Sequence, residues 1–107
     1  MKKLRNIHPG EVLKEAFLDS FGISQNRLAR EISVPPRRIN EIVLGKRGIS
    51  ADTAVRLARY YGTSESFWMG LQADYDVEVA KRALGRSLLD EVGRLAAQVS
   101  FNHRLPR

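Results

Sequence analysis

An all-α fold is predicted for this chain, with five compact helices followed by a C-terminal helical extension. Three observations predict it. Apolar residues recur three and four apart in one segment after another. The breaks between segments are glycines, prolines or serine and threonine caps. No alternating run is long enough to make a strand. At 107 residues the chain has room for one small domain, expected over 1–76, and an extension over 77–107. A core of that size is modest, and association into a dimer is an ordinary way to stabilise it.

The elements follow in order. Residues 1–8 are polar and basic, a lead-in. Pro9 suits the first turn of a helix, with Glu11 near its positive end. Val12, Leu13, Ala16, Phe17 and Phe21 recur at helical spacing up to Gly22, the expected C-terminal cap. Ser24 caps a second helix with the stripe Leu28, Ala29 and Ile32. Ser33-Val34 makes a turn. Pro35 and Pro36 open a third helix, where a missing N–H is harmless. Ile39, Ile42 and Val43 form its buried face, Gly45 ends it, and Lys46-Arg47-Gly48-Ile49 is a loop.

Ser50 caps a fourth helix, with Asp52 in the first turn and the stripe Ala54, Leu57, Ala58 and Tyr61 ending at Gly62. Thr63 or Ser64 caps a fifth, in which Phe67, Trp68 and Leu71 share one side; it is expected to end at about Asp74. Val77, Ala80, Leu84, Leu88, Val92, Leu95 and Val99 then step mostly by four. One helix carries most of this stripe, or two do, with a break at Gly85-Arg86-Ser87 and Ser87 as the cap. The stripe folds back, pairs with its copy in a dimer, or receives another protein; the dimer is the preferred use. The end, SFNHRLPR, reads as frayed.

Composition excludes several functions. There is no cysteine, hence no disulfide and no thiolate metal site, which fits a reducing compartment such as the cytoplasm. No apolar run is long enough to span a membrane, and MKKLRNIHPGE has no apolar segment behind its charges, unlike a signal peptide. His8 and His103 are the only histidines, too few for a metal centre, and no metal or other cofactor is expected. Asp74 with Asp76 and Asp90 with Glu91 pair carboxylates, but no nucleophile motif or phosphate loop accompanies them, so solvated turns are the better account and no enzyme is expected. Trp68 falls on helical spacing with its apolar neighbours and reads as core.

The formal charge is +6, all of it in residues 1–63; residues 64–107 are neutral. A basic surplus suits a polyanion. It surrounds SQNRLAREISVPPRRINEIVLGKRGIS, Ser24 to Ser50, two short amphipathic helices joined by a tight turn. In a helix-turn-helix the first helix crosses the phosphate backbone and the second lies in the major groove. Gln25 is placed to donate to a phosphate. Pro36, Arg37 and Arg38 sit near the N-terminus of the second helix, with Asn40 and Glu41 about one turn on. Arginine pairs two-pronged with guanine, asparagine with adenine, and glutamate accepts from cytosine; Pro36 offers apolar contact. Lys46 and Arg47 would meet phosphate. The competing reading is a solvated basic face with no ligand.

The same residues carry a resemblance. IHPGEVLKEAF (7–17), the stretch 24–50, ADTAVRLARYYGTSESFW (51–68) and LQADYDVEVA (71–80) resemble the HigA family of antitoxins, in the Xre/Cro-type, lambda-repressor-like helix-turn-helix group. The resemblance covers close to two-thirds of the chain. It implies a bacterial or phage-encoded homodimer that binds an inverted repeat in its own promoter. It also implies neutralisation of a partner toxin, typically a RelE-like ribonuclease that cleaves translated mRNA. By position, Gln25 resembles the phosphate-contacting glutamine, and Pro36, Arg37, Asn40 and Glu41 occupy groove-facing positions. Arg38 matches the motif, with phosphate as its other candidate contact. Ser33 departs from the glycine common in the turn. A free-standing regulator would share all of this chemistry without a toxin, and a purely protein-binding adaptor would use none of the basic face.

Overall fold

The computed structural model describes residues 5–95. Helix α1 is Pro9–Val12, continued by a π-helical segment, Leu13–Leu18, and a closing turn, Asp19–Phe21. It is followed by α2 (Gln25–Glu31), α3 (Pro36–Val43), α4 (Ala51–Tyr61), α5 (Glu65–Leu84) and α6 (Ser87–Glu91). No strand occurs among the described residues, and the fold is all-α. Val99, His103 and the first basic residues lie outside the described part.

Helix starts and stops follow local chemistry. His8 caps α1: its Nδ1 accepts from the Gly10 N–H at 2.8 Å, and Glu11 takes the His8 N–H in return. Ser24, Ser50 and Ser64 cap α2, α4 and α5 through their hydroxyls, and Pro36 is the first residue of α3. Helices α1 to α4 each end on a residue with left-handed backbone, and in each the next N–H reaches back to a carbonyl five residues earlier: Ile23 to Leu18, Val34 to Ala29, Lys46 to Glu41 and Thr63 to Ala58. Three of these left-handed positions are glycines, Gly22, Gly45 and Gly62; the fourth is Ser33, at φ 61°. A side chain there crowds its own backbone. Ser33→Gly is expected to stabilise the fold by about 0.5–1 kcal/mol, because the relieved strain exceeds the entropy glycine adds to the unfolded chain. A urea melt checks this, and a lower midpoint would contradict it.

The core is Leu13, Leu18, Leu28, Ala29, Ile32, Val34, Ile39, Ile42, Ile49, Ala54, Leu57, Ala58 and Trp68. Each fully buried leucine or isoleucine contributes about 1.5–3 kcal/mol of transfer free energy. The stripes expected for α2, α3 and α4 are the ones buried, apart from Val43 and Tyr61, which are half-buried. In α1 the expectation fails: Ala16 and Phe21 are exposed, and Leu18 is buried instead. The π-helical segment is the reason. Its wider turn brings residues five apart onto one face, so Leu13 and Leu18 point inward together.

The fifth helix does not end at Asp74 but runs unbroken to Leu84. Tyr75 packs edge-on against His8 with ring centroids 4.8 Å apart, and Gln72 bridges to Asp76 one turn on. Asp74 and Asp76, expected in a solvated turn, lie on this continuous helix instead. The chain does break at Gly85, in positive φ, and α6 begins at Ser87 with Arg86, not Ser87, in the cap position. Trp68 is fully buried, and its Nε1 donates to Thr63 Oγ1 at 2.7 Å.

Helices α2 and α3 pack together, α4 packs on α5, and α1 lies against both α3 and α5. The α1–α3 contact needs Gly10. A Cβ there would lie 1.8 Å from the Ile42 carbonyl oxygen. Helix α3 is therefore held from behind by α1 while its other side faces outward.

Candidate nucleic-acid interface

Ile39 and Ile42 anchor α3 by its fully buried back. With period 3.6 this turns Pro36, Arg37, Asn40 and Glu41 away from the core. Pro36 and Arg37 are exposed, the Arg37 side chain at 83%. Asn40 and Glu41 are half-buried.

These side chains are already tied together. Asn40 Nδ2 donates to Gln25 Oε1 at 2.7 Å. The bond joins α3 to the start of α2. It leaves Gln25 its Nε2 donors, and it leaves Asn40 one N–H and its oxygen, the pair that adenine requires. Arg37 Nε donates to Glu41 Oε2 at 2.8 Å, and Arg47 Nε donates to Glu41 Oε1 at 3.0 Å. The Arg37 guanidinium first, and Arg47 second, hold the Glu41 carboxyl below the usual carboxylate range. Glu41 is thus occupied by two cations in the free protein.

Arg38 is turned elsewhere. Its Nη1 donates to Asp52 Oδ1 at 3.2 Å, across to the first turn of α4. Arg56 shares the same oxygen and also donates to the Ile32 carbonyl at 2.9 Å. Asp52 and Arg56 together therefore join α3, α4 and the end of α2. Lys46 and Arg47 lie in the exposed connection after α3. Gln72, on α5, positions that connection by accepting from the Ile49 N–H at 2.7 Å. A lone glutamine 23 residues away carries no sequence signal for this role, and neither does Gly10.

His8 is buried between α1, Gly45 and Tyr75. Burial pushes its imidazole below the ordinary value, and its Nδ1 lone pair is spent on the cap. It belongs to the scaffold. Among the described residues no group of histidine, cysteine, aspartate and glutamate could hold a metal ion, and no helix is long and apolar enough to cross a membrane.

The arrangement offers two amide edges, one largely exposed guanidinium and a trailing basic loop around one short helix. That is the chemistry of groove reading with flanking phosphate contacts. Comparison with known proteins points the same way. The helix-turn-helix family matches residues 13–68. Virulence-associated protein I of Dichelobacter nodosus is 49% identical over 76 residues, 71% of this chain and 70% of that protein. The Pseudomonas aeruginosa antitoxin HigA, solved with the higBA promoter, superimposes with a TM-score of 0.84 at 47% identity, over 86% of this chain and 100% of that one. An addiction module antidote protein of the HigA family from Coxiella burnetii gives 0.82 at 40% identity, over 86% and 100%.

Proposed function

The chain belongs to the HigA family of helix-turn-helix antitoxins, and we propose that it grips operator DNA with α3 in the major groove, represses its own operon and neutralises a RelE-like, mRNA-cleaving toxin. The family works by binding and not by catalysis. The observation that carries the DNA reading is Arg37. It stands 83% exposed near the N-terminus of a helix whose back is wholly buried. Solvation alone does not require such an arginine to be flanked by a tethered Asn40–Gln25 pair.

In this reading Pro36, Arg37 and Asn40 face base edges. Gln25, Lys46 and Arg47 meet phosphate. Arg38 stays with Asp52, in reach of the backbone. Residues 1–76 supply the DNA-binding unit and 77–107 the extension. The protein acts as a homodimer on an inverted repeat in the cytoplasm. Val77, Leu84, Leu88, Val92 and Leu95 support the dimer: all are exposed along α5 and beyond, where no described residue past Trp68 is buried. An apolar surface of this kind rarely goes unused. The Pseudomonas protein's hold on its promoter, on a chain this one matches end to end, supports the operator.

The test is a gel shift with the DNA upstream of its own gene. A salt-sensitive shift is expected, weakening by about 10³-fold or more between 50 and 200 mM salt if six or more phosphates are contacted. Sedimentation should give a dimer, and the neighbouring reading frame's product should co-purify. No shift at micromolar protein would leave a purely protein-binding role.

A further inference from the structure

Glu41 sits one turn beyond Arg37, and its two carboxylate oxygens serve different arginines. The two arginines are held differently. Arg37 gives up only Nε, to Oε2. Its two terminal nitrogens remain outward, and they are the two-pronged end that fits guanine O6 and N7. Arg47 places both Nε, at 3.0 Å, and Nη2, at 2.9 Å, on the single oxygen Oε1. That contact uses the side edge of its guanidinium, so Nη1 and the second Nη2 N–H remain for a phosphate while Glu41 still holds it.

We infer that Glu41 is a positioning residue that aims Arg37 end-on at a base and holds Arg47 beside it for phosphate, and that it does not itself read cytosine. The inference rests on the reading of α3 as the groove helix. An exposed arginine samples many rotamers, and a fixed partner on Nε removes most of them before DNA arrives. The negative charge also lowers the attraction of the reading face for any phosphate, so weak, sequence-independent binding is held down while the aimed contact is kept. Exposed ion pairs one turn apart contribute little to folding, so a role confined to stability would leave base discrimination untouched.

The experiment compares binding to the upstream duplex with binding to a shuffled duplex of equal length. Glu41→Gln is expected to lower the ratio of the two affinities about tenfold, the scale of one two-pronged base contact. The loss should fall at one base pair per half-site in a substitution scan. Binding to the shuffled duplex should hold or strengthen. In an Arg37→Ala background the same change should cost no further discrimination. Glu41→Asp keeps the charge but is one methylene short. It should return shuffled-duplex binding to the parent level without restoring discrimination. An unchanged ratio in Glu41→Gln, a full further loss in the Arg37→Ala background, or complete recovery by Glu41→Asp would each overturn the inference. A parent protein that fails to shift the upstream duplex would overturn the DNA-binding reading instead, and no variant result can mimic that outcome.

Discussion

Alanine at Pro36, Arg37 and Asn40 together is expected to reduce binding to the upstream operator to the level of unrelated DNA, a loss on the order of 10³-fold. Two two-pronged base contacts per half-site disappear, each worth about 1–3 kcal/mol of discrimination. The fold should survive, because all three side chains lie on the outward side of α3 and the core beneath them is Ile39 and Ile42. Arg37→Ala alone should cost about 1–3 kcal/mol and relax the preference at one position. Arg47→Ala should weaken operator and unrelated DNA alike and reduce the salt slope by about 1. Gel shifts at several salt concentrations separate these patterns. A triple variant that held the operator as tightly as the parent would show that α3 does not read the groove.

Gly10→Ala is expected to have the largest effect on stability. The added Cβ would sit 1.8 Å from the Ile42 oxygen, 2.7 Å from its carbonyl carbon and 3.0 Å from Val43 Cα. These are backbone atoms of α3, and no rotamer change relieves them. Helix α1 must move off α3, which costs about 1–3 kcal/mol in ordinary overpacking and more where backbone meets backbone. The melting temperature should fall by roughly 10 °C or more. Because α1 braces the back of α3, operator affinity should fall as well if α3 lies in the groove as proposed. Gly70→Ala is the control. It adds a methyl inside α5 with nothing within 4 Å, and should stabilise the helix by up to about 1 kcal/mol. Equal melts for Gly10→Ala and the parent would refute the close-approach argument.

Helix limits were the most legible feature, since a cap is an interaction between a residue and its neighbours three to five positions away. Ser24, Ser50, Ser64, Gly22, Gly45 and Gly62 all announce themselves in this way. Reading failed where geometry departs from the regular period. In α1 the π-helical segment substitutes a five-residue step and brings in Leu18 at the expense of Ala16. The residue pattern suggests an end at about Asp74, yet His8 and Gln72 give Tyr75 and Asp76 partners on a continuous helix.

The outward face of α3 divides along the same line. That Arg37, Asn40 and Glu41 point away from the core follows from the positions of Ile39 and Ile42 on a helix, which the residue order specifies once the helix forms. Which groups of other helices meet α3 and the loop after it does not follow. Asn40 meets Gln25 across 15 residues, Arg38 meets Asp52 across 14, and Ile49 meets Gln72 across 23. Periodicity and capping are energies of neighbours along the chain, and they survive in any one-dimensional reading. The Arg37–Glu41 pair, one turn apart, is of that kind; the pairings between helices are energies of approach, created only when α2, α4 and α5 close around α3 and bring distant groups within hydrogen-bond reach.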